Sequence, residues 1–246
     1  MKLIAIETST DACSCALWLE GELRERFEIA PRNHGTLILS MVEELLVEAG
    51  LRLGELDGFA FGCGPGAFTG LRIAAGVIQG LSFSVGLPVV PISSLAALAQ
   101  GVKLPTYSDI SSAGGEMAEQ VLTIQDARMG EVYYGAFRRG SDSIVRSVAT
   151  ARVCRPERVI LPEGGGKWAV AGSGWRTYSE ILAQSLTGDE IVILSESFYP
   201  RASDVARLGV IELGAGRGVP AEQALPVYLR DDVVGSRAVT QEKIVI

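Results

Sequence analysis

The chain has 246 residues, 48% of them hydrophobic and 21% charged, with a formal charge of −7, enough sequence for one large or two modest domains around a buried core. Affinity for nucleic acid rests on Lys and Arg neutralising phosphates, so 29 acidic against 22 basic residues argue against RNA binding by the chain's own surface field. No apolar run approaches the roughly 18 to 20 residues that span a bilayer, and the early LIAI is too short for a signal-peptide core, which predicts a cytoplasmic protein with no membrane segment.

Residues 2–7 (KLIAIE) and 13–20 (CSCALWLE) have strand composition and flank the polar turn Thr8-Ser9-Thr10-Asp11, so they predict a hairpin. Residues 22–29 (ELRERFEI) largely alternate charged and apolar side chains, the mark of an edge strand. Over 36–49 the apolar residues recur at helical spacing and Gly50 provides the stop. A short apolar strand over 57–63 then feeds the densest motif of the chain, GCGPGAFTGLRIAAGVIQG at 62–80. Gly62, Gly64, Gly66 and Gly70 permit backbone conformations closed to other residues, and Pro65 fixes one φ between them. From Leu71 on, Gly76, Gly80 and Ser84 recur every four residues beside Ile73, Val77 and Leu81, a face that another helix could approach closely. The segment therefore reads as a tight strand-to-helix turn, as an anion cradle, or as the entry to a docking helix over 70–85.

A strand over 87–92 and a helix over SLAALAQ complete the first half, and residues 101–120 form a polar loop or boundary. After it, VLTIQ, the turn Asp126 to Gly130, and EVYYGAFRR repeat the opening strand, turn and strand, with Asp126 in the place of Glu7. Trp168 to Ala171 leads into Gly172-Ser173-Gly174 and a helix over 177–186, as 59–61 led into Gly62-Cys63-Gly64. A last helix covers 203–216, followed by the tail through PVYLR. The expected architecture is α/β, two related units of βαβ type over 1–100 and 121–200, with 201–246 packing back on the first.

Paired units of this kind, each opening with an acidic turn, are the layout of the actin, sugar kinase and heat-shock ATPase superfamily, in which turns grip phosphates and acidic groups work through magnesium. The candidate cofactor residues are Glu7, Thr8, Ser9, Asp126, Gly64 and Gly66; a solvated polar turn is the competing reading for both turns. With His34 as its one histidine and with Cys13, Cys15, Cys63 and Cys154 outside any metal spacing, the sequence offers no transition-metal set. Ser/His/Asp chemistry would have to use His34, and no Gly-x-Ser-x-Gly elbow exists.

IAIETST at the start, GPGAFTGLRI at 64–73, DARMGEVYYGAF at 126–137 and PVYLR at 226–230 together resemble the bacterial TsaB (YeaZ) family. The resemblance implies the two-lobed actin-like fold and a non-catalytic role beside the paralogue TsaD, which carries the metal-binding histidines and transfers a threonylcarbamoyl group to the adenosine 3′ of the anticodon in tRNAs reading codons that begin with A. It implies no cofactor held tightly by this chain alone, ATP and magnesium used by the complex, a TsaE-like ATPase as further partner, tRNA reached only indirectly, and self-association when the chain is alone. Docking is expected through the first two helices, with His34, Ile38, Met41, Leu45, Gly70, Arg72, Ile73, Gly76, Val77, Gly80 and Leu81 as interface residues. The alternative from another class is an autonomous ATP-dependent kinase or hydrolase using Glu7 and Asp126.

Overall fold

β1 (Lys2–Glu7) presents Leu3, Ile4, Ala5 and Ile6 without a polar interruption, and all four are fully buried, as a strand covered on both faces requires. The structure, a computed structural model, describes residues 1–103, 120–163, 165–186, 191–193 and 199–230. Most of the polar loop expected at 101–120 and the tail beyond Arg230 lie outside the described residues. The chain divides into two units, Met1–Ala97 with Tyr199–Val227 and Leu98–Phe198 with Tyr228–Ile246. The stretch 201–246, which the sequence treats as one piece, is therefore split, and Tyr228 to Arg230 group with the second unit.

In the first unit β1 is the centre of a sheet of order β3-β2-β1-β4-β5. β2 (Ala12–Leu19) and β3 (Glu22–Ile29) add to it antiparallel, and β4 (Gly58–Gly64) and β5 (Val89–Ser93) run parallel. Parallel neighbours need crossovers, supplied here by α1 (His34–Ala49) and α2 (Phe68–Val85), each closed by a left-handed glycine, Gly50 and Gly86. Both helices start two residues earlier than their periodicity indicates, because the chain enters them through Asn33 and Ala67 with no side-chain cap to mark the place. Ile4, Ile6, Phe59 and Phe61 meet Ile38, Leu45, Ala74 and Ile78 in one core. By length and apolar composition α2 could cross a bilayer, contrary to the sequence expectation, but Gly70, Leu71, Ala74, Ala75, Ile78 and Ser82 are buried and the helix packs on β4.

After α3 (Ser94–Gly101), the second unit forms a sheet of order β11-β10-β6-β7-β8. β6 (Gln120–Arg128) and β7 (Glu131–Arg139) are its hairpin, β8 (Val145–Ser147) and β9 (Arg152–Cys154) pair with β7, and β10 (Trp168–Ala171) and β11 (Ile191–Ile193) run parallel to β6. The strand order repeats that of the first sheet. α4 (Ser173–Ser185) starts directly after Gly172 and bends at Tyr178, so the expected helix over 177–186 is its later part. β8, β9 and β11 have three residues each, too few to produce a period in the sequence. Among the described residues nothing replaces α1 here except a 3-10 turn, Pro156–Arg158.

The last helix, α5 (Ala202–Gly214), covers β1, β2 and β4 on the face opposite α1 and α2. A Cβ at Gly209 would stand 2.7 Å from the Ala60 Cβ, so Gly209→Val should destabilise the protein by about 1 to 3 kcal/mol through overpacking; an unchanged melting temperature would contradict this seating. Asp204, in the first turn of α5, is paired with Arg207 at 2.6 Å and its side chain is 3% exposed. Burial outweighs the arginine and pushes its carboxyl up to about 6. The folded state then holds this proton more tightly than the unfolded one, so stability should fall as pH rises from about 4 to about 6. Asp204→Asn should flatten that part of a stability-against-pH curve.

Candidate functional site

The glycines of the 62–70 loop are needed by the chain itself. β1 ends in buried Glu7, whose Oε1 accepts from the Ser9 N–H at 2.6 Å and whose Oε2 accepts from the Ser94 hydroxyl at 2.8 Å. Thr8 donates through Oγ1 to the Gly70 carbonyl at 2.8 Å, and the Ala67 N–H donates to the Ser9 carbonyl at 2.7 Å. A Cβ at Gly62 would overlap the Glu7 carboxylate, one at Gly70 would overlap the Thr8 carbonyl, and one at Gly66 would lie 2.5 Å from the Ser9 Cβ. Gly64 has φ of +118° and would place a Cβ 2.6 Å from the Val227 carbonyl. The hairpin turn thus packs against the loop at Gly62, Gly66 and Gly70, where any side chain would collide with it. Burial raises the Glu7 carboxyl above its ordinary value against the opposing hydrogen bonds from Ser9 and Ser94, and a carboxylate so enclosed is poorly placed to engage solvated magnesium.

The second unit repeats this economy. A Cβ at Gly172 would overlap the Ile124 carbonyl and one at Gly174 would lie 2.7 Å from the Ile124 Cγ2. Asp126 Oδ1 accepts from the Arg128 N–H at 2.8 Å and from the Tyr178 hydroxyl at 3.4 Å, while the Arg128 guanidinium pairs with Oδ2 at 3.4 Å. Arg128, Met129 and Gly130 all have positive φ. Arg230 holds this turn through the Glu131 carboxylate and the carbonyls of Ala127 and Arg128. DARMGEVY and PVYLR are therefore one structural device, which sequence order alone conceals.

The residues assigned to a docking surface fall into two sets. Ile38 and Leu45 are fully buried, Met41 and His34 are 7% exposed, and Gly70 is sealed by Thr8. The first four are core positions because the apolar stripe of α1 faces the sheet, and Gly70, in the first turn of α2, is closed off by the Thr8 carbonyl, so these five expected interface residues are buried within the first unit. His34 Nε2 is one of two buried side-chain atoms without a hydrogen-bond partner among the described residues, with Ser9 Oγ. Arg72, Gly76 and Gly80 are exposed, and Ile73, Val77 and Leu81 are half-buried beside them. The sequence reading missed Phe83, 82% exposed, Val47, 73% exposed, and Leu39, 52% exposed. Phe83 was legible: positions 76, 80 and 83 share a helix face. Phe68 and Arg72 stack at 3.6 Å at the other end of that face. A Cβ at Gly76 or Gly80 would meet nothing within 4 Å.

Burial pushes the Cys13 thiol up to about 11 and the Cys63 thiol up to about 12, so neither supplies a thiolate near neutral pH. Among the described residues no three His, Cys, Asp or Glu side chains are placed to hold a metal ion.

Two α/β units with this repeated order, each opening with a hairpin and closing through parallel strands, define a member of the actin-like class. Residues 28–232 match the family model of TsaD, tRNA N6-adenosine threonylcarbamoyltransferase. The chain is 35% identical to the tRNA threonylcarbamoyladenosine biosynthesis protein TsaB of Escherichia coli over 95% of its own length and 96% of that protein's. It is 37% identical to TsaB of Haemophilus influenzae, with 95% of each chain covered. The solved structure of YeaZ from Pseudomonas aeruginosa is 42% identical, with a TM-score of 0.79, covering 93% of this chain and 99% of that one. Another Pseudomonas aeruginosa structure, described as an uncharacterized protein with similarity to peptidase YEAZ, is 43% identical with a TM-score of 0.80, over 93% of this chain and 99% of that one. The chain belongs to the TsaB (YeaZ) family.

The two kinds of glycine predict opposite responses. Gly70→Ala should destabilise the isolated protein by more than about 1 kcal/mol, since the methyl meets backbone. Gly76→Ala, inside a helix and meeting nothing, should stabilise it by up to about 1 kcal/mol. Chemical denaturation of the two variants measures both, and the same sign for both would contradict the assignment.

Proposed function

We propose that this chain is a non-catalytic activating subunit in the synthesis of threonylcarbamoyladenosine in tRNA. It binds a TsaD-like catalytic paralogue and, through that complex, a TsaE-like ATPase. The paralogue transfers the threonylcarbamoyl group to the adenosine 3′ of the anticodon in tRNAs reading codons that begin with A, and the complex, working in the cytoplasm, uses ATP and magnesium. The observation that carries the reading is the exposed side of α2, where Gly76 and Gly80 lie open beside Phe83, 82% exposed, while the 62–70 loop is packed against the chain's own Glu7, Thr8 and Ser9. The names of the Escherichia coli and Haemophilus influenzae relatives support the pathway.

Docking uses the face of Arg72, Gly76, Gly80 and Phe83 together with the exposed Leu39 and Val47 of α1. Glycines between two aromatic residues give a helix surface on which a second helix can lie at short range, and a second copy of this chain uses the same surface when the paralogue is absent. Gly76→Leu, by overpacking, and Phe83→Asp, by burying an unpaired charge, should each weaken binding to the paralogue by about 1 to 3 kcal/mol, about fivefold to 150-fold in Kd. The isolated variants should not melt earlier, because position 76 is open and Phe83 is exposed. Calorimetric affinities equal to that of the unaltered chain would refute this face as the docking site.

A further inference from the structure

The acidic balance of the chain is not uniform. Residues 120–180 hold nine Arg and Lys against six Asp and Glu, and eight of the nine are Arg. In the first unit the arginines are largely neutralised: Arg24, Arg26, Arg52, Arg201, Arg207 and Arg217 each pair with a carboxylate. Arg152, Arg155 and Arg158 differ. All three are exposed, within seven residues of β9 and the following 3-10 turn, and none has a carboxylate within 4 Å among the described residues. Arg152 is hydrogen-bonded to the Tyr134 hydroxyl, and Glu157 is the one acidic residue inside the stretch. β9 lies on the β7 side of its sheet, beyond the hairpin, and the neighbouring Ile160 is 61% exposed.

We propose that the β9 edge, Arg152 with Arg155 and Arg158, is a contact site for the phosphate backbone of RNA, so that this chain touches the tRNA directly and not only through its partners. The proposal rests on the pathway assigned above, which brings tRNA to the complex; the guanidinium groups supply the chemistry. Planar, permanently charged guanidinium groups bind phosphate oxygens bidentately and are weakly hydrated, which suits them to a polyanion better than ammonium groups. Arginines already satisfied by carboxylates would have to lose those partners first, whereas these three have no such partner among the described residues. The net charge of −7 sets the field at long range, but contact energy is decided within a Debye length, about 8 Å at physiological ionic strength. An acidic chain can thus contribute a local phosphate site inside a larger tRNA-binding assembly.

The test uses the full chain, alone and in complex with the paralogue, and an unmodified tRNA transcript followed by fluorescence anisotropy from 50 to 200 mM salt. Arg152→Ser, Arg155→Ser and Arg158→Ser combined should weaken tRNA binding at least tenfold at the lowest salt and reduce the slope of log K against log salt by about 2 to 3. Lysines at the same positions should restore the slope. Arg52→Ser with Arg217→Ser, exposed arginines that are already paired, should leave tRNA affinity within about twofold. Calorimetry of the triple variant against the paralogue should be unchanged, which separates failure here from failure of the docking reading. An unaltered slope in the triple variant, or a loss of affinity for the paralogue in place of tRNA, would overturn the proposal.

Discussion

The first unit depends on the insertion of one hairpin turn into one glycine loop. Glu7, Thr8 and Ser9 occupy the positions that side chains at Gly62, Gly70 and Gly66 would need, and the Thr8 hydroxyl and the Ser9 carbonyl tie the turn to the start of α2. The contact fixes where β4 ends, where α2 begins, and how the helix lies over Ile4, Ile6, Phe59 and Phe61. The glycines at 62, 66 and 70 are required by this internal packing, because any side chain there would meet Glu7, Ser9 or Thr8.

The two units share a strand order but have diverged in what surrounds it. The first keeps long helices on both faces of its sheet, and this leaves α2 with one face in the core and one outside. The second has a three-residue turn where α1 would stand, and adds β9 beside β8 on β7. Its hairpin turn is held by Arg230 with two successive non-glycine residues, Arg128 and Met129, at positive φ, a local strain of the kind that persists only where neighbouring contacts enforce it. Arginines in the first unit mostly serve ion pairs within the fold, whereas those of the β9 edge have no carboxylate within 4 Å among the described residues.

Much of this was legible in the sequence for a physical reason. Strands covered on both faces read as continuous apolar runs, and the hairpins around Thr8-Ser9 and Arg128-Met129 were bounded by polar turns. Periodicity located α1 and α2 and separated the apolar stripe of α1 from its acidic side at Glu43, Glu44 and Glu48, but it did not single out the apolar residues that lie outside those stripes. Ile38 and Leu45 went inward, while Leu39, Val47 and Phe83 went outward. The pairing of Arg230 with Glu131 joins residues far apart in sequence, and the three-residue strands are set by pairing partners and not by local pattern. Glu7 was found as a residue, but its enclosure depends on Ser94, a contact no local signal reveals.

In the proposed function the chain acts through the surface of α2 on a catalytic partner and carries out no nucleotide chemistry of its own. The most direct measurement is threonylcarbamoyl transfer to tRNA reconstituted with the TsaD-like paralogue, the TsaE-like ATPase, ATP and magnesium, with this chain present or left out. The account predicts that transfer falls to background without the chain and is restored by the unaltered protein and by Asp126→Asn alike. Transfer at full rate in its absence, or loss of all restoration with Asp126→Asn in a protein that still folds and binds the paralogue, would contradict it.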